Sequence, residues 1–344
     1  MPKKLHKYYE IKDYKNTEAI VKEGMIKARK VIPEGNVATY IPELGKVNPD
    51  QLGICIYPLT GKKVCLGDYD KRFTMQSISK IIMLTAALEI CGISKVFDKV
   101  GAEPSGEAFN SLVELDRENS RPYNPLINSG ALAICDMLVK ELSFHDVLRF
   151  TRKVCNDSGI ELNEDVYNSE IKTCSRNRSI AYLLESKGII TSDVDVILKF
   201  YTKCCSMNVT AESLATLARI LCNDGVGEES SKRYMTSKTA RIVKTLMLTC
   251  GMYDGSGTFA LKVGIPSKSG VGGGLMSVSD KRAGIGVFGP ALDDKGNSIA
   301  GIELLKNISN KLTLNLFYDP EWDKETSEET FARQILEHQF NNEK

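Results

Sequence analysis

The sequence predicts a mixed α/β fold in which one sheet is assembled from both ends of the chain around a helical insertion. Two apolar runs near the N-terminus, residues 51–57 and 63–66, are typical of a β-hairpin. Strand patterns return at residues 272–278 and 283–288. Between these two pairs, residues 132–248 carry apolar side chains at mostly helical spacing. Strands at both ends of the chain that bracket a helical middle favour a single mixed sheet with helices packed against it.

The other elements follow in chain order. Residues 17–30 are predicted to form a surface helix, and residues 60–61 the turn of the hairpin. A buried helix is predicted at residues 77–92, where the last residue is a glycine, a common helix C-terminus. Apolar stripes predict further helices at residues 131–142, 179–184, 194–204 and 211–222. A final helix at about residues 298–312 would close the core.

This organisation divides the chain into three parts. Residues 1–100 together with residues 255–318 are expected to form an α/β sheet domain, and residues 101–254 a mainly helical domain. Residues 319–344 form a charged C-terminal tail. Four apolar residues of the tail could line one face of a terminal helix: Phe331, Ile335, Leu336 and Phe340. Such a face would dock on the body of the protein or on a neighbouring subunit, and the sequence leaves both open.

The composition and charge limit the kinds of partner that this protein can have. A chain of 344 residues with 42% hydrophobic content can bury a large core, and a net charge of +1 gives no global field that attracts nucleic acid. The first residues lack the apolar segment of a secretory signal, and no apolar run approaches the length of a membrane span. We therefore expect a cytoplasmic protein with no nucleic-acid partner and no membrane partner.

The ten cysteines are scattered through apolar runs without a repeating spacing. This pattern predicts buried thiols in a reducing compartment rather than a framework of disulfides. Cys204 and Cys205 are adjacent, but no second cysteine pair stands at the spacing of a zinc site. Core thiols are therefore favoured over metal ligands, and no metal is expected.

The three histidines, His6, His145 and His338, lie far from any sequence that could form a serine nucleophile turn. These positions argue against a Ser-His-Asp hydrolase, because that mechanism needs a histidine beside the serine. A serine enzyme with this sequence would have to use lysine or tyrosine to move protons.

Ser77 and Lys80 stand three positions apart at the start of the predicted buried helix, so they share one helix face. A serine hydroxyl is a weak nucleophile until a base removes its proton, and a lysine is such a base only while it is neutral. The apolar residues 81–84 would desolvate Lys80 and lower its pKa. Free N–H groups in the first helical turn also favour developing negative charge. The pair indicates a nucleophile with its base, although Ser-x-x-Lys is also common in ordinary solvated helices.

A second motif, Lys268-Ser269-Gly270, has the composition of a strand edge where backbone approaches a ligand closely. Together with the Ser77 motif it resembles the signatures of serine β-lactamases and penicillin-binding proteins. More specifically, six segments in order resemble the glutaminase family: residues 37–44, 76–80, 103–106, 124–131, 250–254 and 268–273. The resemblance covers roughly residues 35–310. It implies a β-lactamase/DD-peptidase-like fold, with a mixed antiparallel sheet flanked by helices and a mainly helical second domain.

The resemblance also implies a substrate and a set of site residues. The substrate would be L-glutamine, hydrolysed to L-glutamate and ammonia. Ser77 matches the family's nucleophile, Lys80 its base and Tyr253 its second proton-handling group, while the backbone N–H groups of Ser77 and Val271 match its oxyanion hole. The matching substrate-binding residues are Tyr40, Gln76, Asn128, Glu170, Asn177, Tyr201, Tyr253 and Val271. The family implies no metal or organic cofactor, and it implies a homodimer or homotetramer.

Individual residues of this set also have structural interpretations. Residues 169–177 depart from the acidic, glycine-bearing family version, although the spacing of seven from Glu170 to Asn177 is kept. Glu170 could be a surface carboxylate, Asn128 could cap a helix, and Tyr40 and Tyr201 could be core aromatics.

Two other functions share the predicted fold. One is a penicillin-recognising serine hydrolase, either a peptidase or a β-lactamase; the missing export signal argues against it, since cell-wall chemistry lies outside the cytosol. The other is a catalytically silent binding or scaffold protein. The presence of Ser77, Lys80 and Tyr253 argues against that alternative.

Overall fold

A computed structural model describes residues 11, 13–106, 108–112, 121–228 and 232–317. The helices are α1 (Tyr14–Arg29), α2 (Ser79–Ile90), α3 (Ile93–Lys99), α4 (Asn128–Leu138), α5 (Phe144–Cys155), α6 (Glu164–Thr173), α7 (Ser175–Ser186), α8 (Val194–Cys205), α9 (Ala211–Cys222), α10 (Ser237–Cys250), α11 (Ser256–Lys262) and α12 (Ile299–Lys311). The strands are β1 (Gly53–Pro58), β2 (Val64–Gly67), β3 (Phe73–Thr74), β4 (Asn208–Val209), β5 (Ser267–Gly270), β6 (Gly274–Ser279) and β7 (Ala283–Phe288). The predicted tail at residues 319–344, with its four apolar residues, lies outside the described residues.

The main sheet joins the two ends of the described chain. Its strand order is β2-β1-β7-β6-β5, and neighbouring strands run antiparallel. The N-terminal hairpin pairs with the C-terminal strands through β1 and β7, in a register that sets Gly53 opposite Phe288. The predicted sheet, assembled from both ends around a helical middle, is confirmed.

Helices cover both faces of this sheet, which explains why β1 is buried along its whole length. Ile54 and Ile56 point into a core shared with α1 and α12. The alternate residues Cys55 and Tyr57 pack against Ala215 of α9 on the opposite face. Successive strand residues point to opposite faces, so the continuous apolar run of β1 follows from a sheet that is covered twice.

The second large core is helical and centres on α2. This helix is apolar on all sides, and residues 79–88 are buried. It packs against α3, α4, α5 and α10. The two-stranded pair of β3 and β4 lies at its N-terminal side, where Met75 N–H donates to the carbonyl of Met207 at 2.9 Å. The start of α2, directly after Ser77, therefore lies between the helical core and the main sheet.

The predicted helices at both ends and in the middle are confirmed within a few residues, but α3, α5, α6, α10 and α11 had no individual prediction. α5 carries a capping box in which Ser143 and Asp146 exchange side-chain to backbone hydrogen bonds, and Asn156 ends it in a left-handed conformation. The predicted strand at residues 272–278 begins later, at Gly274, because residues 270–273 form a turn closed by the Gly273 N–H and the Gly270 carbonyl at 2.9 Å.

One expectation about the cysteines is wrong. Cys55 and Cys65 are joined by a disulfide, with their Cα atoms 4.1 Å apart. The physical reason is register, because the two residues are direct partners across β1 and β2. The spacing of the cysteines along the sequence does not predict this pair, because the register of the hairpin is what brings the two residues together. The other described cysteines are free thiols.

Candidate active site

Ser77 stands in a single 3₁₀ turn, Gln76–Ile78, directly before α2. Gln76 has φ of +47°, a left-handed conformation that is uncommon for a residue with a side chain. This sharp entry into α2 holds the Ser77 side chain at the helix N-terminus, where only 6% of the residue is exposed. A strained residue next to a candidate nucleophile is consistent with a functional site.

Lys80 lies one helical turn after Ser77 and is 1% exposed. Its Nζ donates to the Asn128 side-chain oxygen at 2.6 Å and to the Leu126 carbonyl at 3.1 Å. Burial lowers the pKa of Lys80 to about 8, and the nearby Glu170 opposes this change. A lysine with this pKa can act as a base close to neutral pH, the direction that the apolar sequence predicts.

Asn128, the first residue of α4, connects three of the predicted site residues. Its Oδ1 accepts from Lys80 and, at 3.4 Å, from the hydroxyl of Tyr201 on α8. Its Nδ2 donates to Oδ1 of Asn177 on α7 at 2.8 Å. The structure therefore brings Asn128, Asn177 and Tyr201 together from three helices, and burial raises the pKa of Tyr201 so that its hydroxyl remains protonated.

Glu170 of α6 is buried rather than on the surface. Gln76 Nε2 donates to its Oε2 at 3.3 Å, and the same nitrogen donates to the Thr74 hydroxyl at 3.3 Å. Burial raises the pKa of Glu170 to about 7, while Gln76 and then Lys80 act to lower it. A buried carboxylate that forms no ion pair with any described side chain is a strong site for a positively charged ligand group.

Tyr253 reaches the same site from the turn after α10. Its ring lies 4.5 Å from that of Phe109, and Lys268 Nζ sits 4.5 Å from its ring centroid. Within the described residues the phenol oxygen forms no hydrogen bond of ordinary geometry. Burial raises the pKa of Tyr253, while its polar neighbours Ser77, Val271 and Ser269 act to lower it.

The Val271 N–H approaches the site because the chain around it carries no side-chain bulk. A Cβ at Gly270 would lie 2.5 Å from the Met75 carbonyl oxygen, so only glycine allows this backbone approach. Val271 thereby comes beside the segment that bears Ser77, and its N–H interacts with the Tyr253 phenol. The two predicted oxyanion donors, the N–H groups of Ser77 and Val271, therefore lie on neighbouring segments.

Tyr40 is the least enclosed of the predicted residues. It lies within electrostatic range of Tyr253 and Glu170, but 58% of its surface is exposed. Its place on the rim of the site, rather than in the core, favours a binding residue over a core aromatic.

Three residues of the site had no role assigned from the sequence. Lys268 is fully buried, donates to the Ser269 carbonyl at 2.6 Å, and has its pKa lowered well below the ordinary value by burial and then by Lys80. Its motif was recognised, so its place in the site could have been inferred. Thr74 and Phe109 touch Gln76 and Tyr253 respectively, and no local pattern marks either of them.

The described ranges contain neither a metal-binding cluster nor a membrane-spanning helix. Within them, no cluster of three or more His, Cys, Asp or Glu side chains has an arrangement suited to a metal ion. Likewise, no helix in this part of the chain has the length and apolarity needed to cross a membrane.

Comparisons with known proteins agree with this geometry. The chain is 50% identical to Glutaminase 2 of Clostridium perfringens over 293 residues, which cover 84% of this chain and 96% of that relative. It is 50% identical to a glutaminase of Clostridium tetani over 304 residues, which cover 87% and 98% respectively. A solved probable glutaminase from Bacillus subtilis, complexed with 6-diazo-5-oxo-L-norleucine, superposes with a TM-score of 0.80 at 36% identity, covering 89% of this chain and 98% of that one.

These similarities confirm the β-lactamase-like fold predicted from the motifs. The family description "Glutaminase" matches residues 35–317, which is most of the chain. This chain therefore belongs to the glutaminase family, whose members are amidohydrolases.

Proposed function

We propose that this chain hydrolyses the side-chain amide of L-glutamine to L-glutamate and ammonia through an acyl-enzyme on Ser77. The observation that carries the proposal is the buried Lys80 one turn from Ser77, with a pKa near 8 and a hydrogen bond to Asn128. Membership of the glutaminase family supplies the substrate class.

In the first half of the reaction, neutral Lys80 accepts the Ser77 proton while the Ser77 oxygen attacks the side-chain carbonyl carbon of glutamine. The N–H groups of Ser77 and Val271 hold the negative oxygen that forms. When the C–N bond breaks, the leaving nitrogen takes a proton from the Tyr253 phenol, and the Lys80 ammonium returns a proton to Tyr253. Ammonia leaves, and a γ-glutamyl ester remains on Ser77.

In the second half, water attacks the ester carbon as Lys80 accepts one of its protons. The same two N–H groups hold the second oxyanion. The C–O bond to Ser77 then breaks, the serine oxygen recovers its proton from Lys80, and glutamate leaves. The residues present supply every proton transfer, so the proposed reaction calls for no metal and no organic cofactor.

Recognition of a free amino acid needs a partner for its ammonium group and donors for its carboxylate. Glu170 is the proposed partner of the ammonium, because its carboxylate is buried and forms no ion pair with a side chain in the described part of the protein. The amides of Asn128 and Asn177 and the hydroxyl of Tyr201 are the proposed polar contacts. A glutamine analogue that lacks the ammonium or the carboxylate group would leave a buried donor or acceptor of the protein unpaired. This cost is the basis of strong discrimination between glutamine and such analogues. Gln76 would orient Glu170, and Tyr40 would contact the substrate from the rim.

The direct test is ammonia release from glutamine by the purified protein, with asparagine and nitrocefin as comparison substrates. We expect release from glutamine, little from asparagine, and no nitrocefin turnover. Nitrocefin hydrolysis without ammonia release from glutamine would favour the penicillin-recognising alternative and overturn the proposal.

The two-domain division, the cytoplasmic location and the homodimer or homotetramer stay predictions. The two hydrophobic cores, one around the sheet and one around α2, support a division into a sheet part and a helical part. Light scattering on the purified protein would report whether it is a dimer or a tetramer.

A further inference from the structure

Tyr253 has a backbone conformation that a tyrosine rarely adopts. Its φ is +54°, in the left-handed region where residues with side chains are uncommon. Such a conformation persists only where the surrounding structure imposes it. Within its own turn, the Ser256 hydroxyl donates to the Tyr253 carbonyl at 2.8 Å and accepts from the Met252 N–H at 3.0 Å. These local bonds shape the turn but do not fix its place in the protein.

A second turn, residues 293–297, holds the residues on both sides of Tyr253. Asn297 Nδ2 donates to the Met252 carbonyl at 3.4 Å. Lys295 Nζ donates to the Asp254 carbonyl at 3.4 Å and lies 3.7 Å from the Asp254 carboxylate. One short turn therefore contacts both the residue before Tyr253 and the residue after it.

The turn at residues 293–297 is well braced internally. The Asp293 carboxylate accepts from the backbone N–H groups of Lys295 at 3.0 Å and Asn297 at 2.9 Å. The Asp293 N–H donates to the Asn297 carbonyl at 2.8 Å. The Gly296 N–H also donates to the Asp293 carbonyl at 3.1 Å, so four bonds across five residues hold the backbone that carries the Asn297 amide.

The same turn also touches two of the proposed reacting groups. Gly296 has φ of +86°, and a Cβ at this position would lie 3.3 Å from Val271 Cγ1 and 3.7 Å from Tyr253 Cε2. The left-handed backbone conformation favours glycine at this position, and the turn packs closely against both side chains. The Tyr253 ring and the Val271 side chain therefore lie against the same turn.

The amide of Asn297 is buried with only one of its two polar atoms paired, which argues that its donor is needed. The residue is 2% exposed, and in the described part of the chain its Oδ1 has no hydrogen-bond partner. Burying an unpaired acceptor is unfavourable, and a leucine of similar size would avoid that cost. What leucine would lack is the hydrogen bond to Met252.

We propose that Asn297 is a positioning residue, which holds the Tyr253 phenol in place for proton transfer by fixing the Met252 carbonyl. The inference rests on the proposed function, since it assigns Asn297 a part in that reaction. It predicts that activity and stability respond in opposite ways when the amide is removed.

The first test is Asn297→Leu, assayed for glutamine hydrolysis and thermal unfolding. We expect kcat to fall by about 10- to 100-fold, as small misplacements of a reacting group can cause. KM should change by less than about threefold, because Tyr253 moves protons rather than supplying most of the binding. The melting temperature should be unchanged or higher.

Asn307→Leu is the matched control, since the Asn307 amide donates to the Glu303 carbonyl at 2.8 Å on α12. The kcat of this variant should stay at the wild-type value.

The second test is a double-mutant cycle with Tyr253→Phe, which removes the phenol through which Asn297 is proposed to act. Asn297→Leu should then cause little further loss, because residues that act as a unit are not additive. If Asn297→Leu lowers kcat by the same factor in both backgrounds, or if it leaves kcat at the wild-type value, the inference is overturned.

Lys295→Gln provides an independent variant if Asn297→Leu does not fold. Lys295 is partly exposed and holds the other side of the Tyr253 turn. We expect kcat to fall about threefold in the wild-type background and not at all with Tyr253→Phe. Equal loss in both backgrounds, or no loss in the wild-type background, overturns the inference.

A wild-type protein that fails to hydrolyse glutamine overturns the proposed function and this inference with it. An active wild type with a fully active Asn297→Leu variant overturns the inference alone.

Discussion

The side-chain nitrogen of Lys80 lies 2.6 Å from Oδ1 of Asn128. The proposed base and a proposed substrate contact therefore share a hydrogen bond. Because Asn128 also donates to Asn177 and accepts from Tyr201, the protonation of Lys80 is linked to the polar groups that would meet the substrate. A charge introduced at residue 128 should therefore change the pKa of Lys80 directly.

Asn128→Asp should raise the pKa of Lys80 above about 8, because an adjacent carboxylate favours the ammonium form. The pH at which kcat/KM is half-maximal should move upward, and activity at pH 7 should fall about tenfold for each pKa unit. Asn177→Asp, one side chain further from Lys80, should shift the profile less. A profile that keeps its midpoint in Asn128→Asp would show that this residue does not tune the base.

Ser77→Ala should abolish acyl-enzyme formation, since no other hydroxyl takes the place of the nucleophile. We expect kcat to fall by about 10⁴ or more. In the intact protein, 6-diazo-5-oxo-L-norleucine should label Ser77, as located by peptide mass spectrometry. Label found only on a cysteine would contradict the assignment.

Lys80 should act only when neutral, so its low pKa predicts the direction of the pH dependence. Its pKa of about 8 lies below the ordinary value for lysine, so activity should rise with pH through about 8 as the ammonium loses its proton. Lys80→Arg should be nearly inactive at every pH, because arginine stays charged. Activity in Lys80→Arg with a wild-type pH profile would exclude lysine as the base.

Glu170→Gln should raise KM for glutamine by roughly one to three powers of ten, a loss of about 1.4 kcal/mol for each tenfold change. Since burial raises the pKa of Glu170 to about 7, the free site carries its negative charge only above that pH. The wild-type KM should therefore rise as the pH falls below 7, and this dependence should vanish in the variant.

The same carboxylate has an opposite effect on stability. A raised folded-state pKa means that folding favours the protonated form, so stability is lost as pH rises from the unfolded value toward about 7. Glu170→Gln should accordingly raise the melting temperature of the ligand-free protein at pH 8, and it should do so less at pH 5. An unchanged KM would show that Glu170 does not bind the substrate ammonium group, and an unchanged melting temperature would show that its buried charge does not destabilise the fold.

The sequence predicted those parts of the site that depend on local spacing. Ser77 and Lys80 are three residues apart, so a helix brings them to one face whatever the rest of the fold does. The hairpin of β1 and β2 and the strands near the C-terminus were likewise readable from short apolar patterns. The residues matched through the family resemblance, from Asn128 to Tyr201, needed the whole set of motifs rather than any one pattern.

Other features depend on packing that no local pattern encodes. Asn128, Asn177 and Tyr201 meet only because α4, α7 and α8 pack together. Asn297 lies in a polar turn that looks like an ordinary surface loop, and its contact with Met252 is purely tertiary. The disulfide of Cys55 and Cys65 follows from the register of β1 and β2, and the distribution of cysteines along the sequence does not predict that register.

The pairing of β1 with β7 has a consequence for how the protein is made. During synthesis β1 leaves the ribosome early, whereas its partner β7 follows only after the entire helical middle. Until then the edge of β1 and its apolar side chains have no sheet to join, a state that favours aggregation. The helices around α2 make shorter-range contacts and can fold first, which gives the nascent chain a compact body on which the late strands close. Any truncation that removes β7 should therefore leave the nascent chain with an unpaired, aggregation-prone edge on β1.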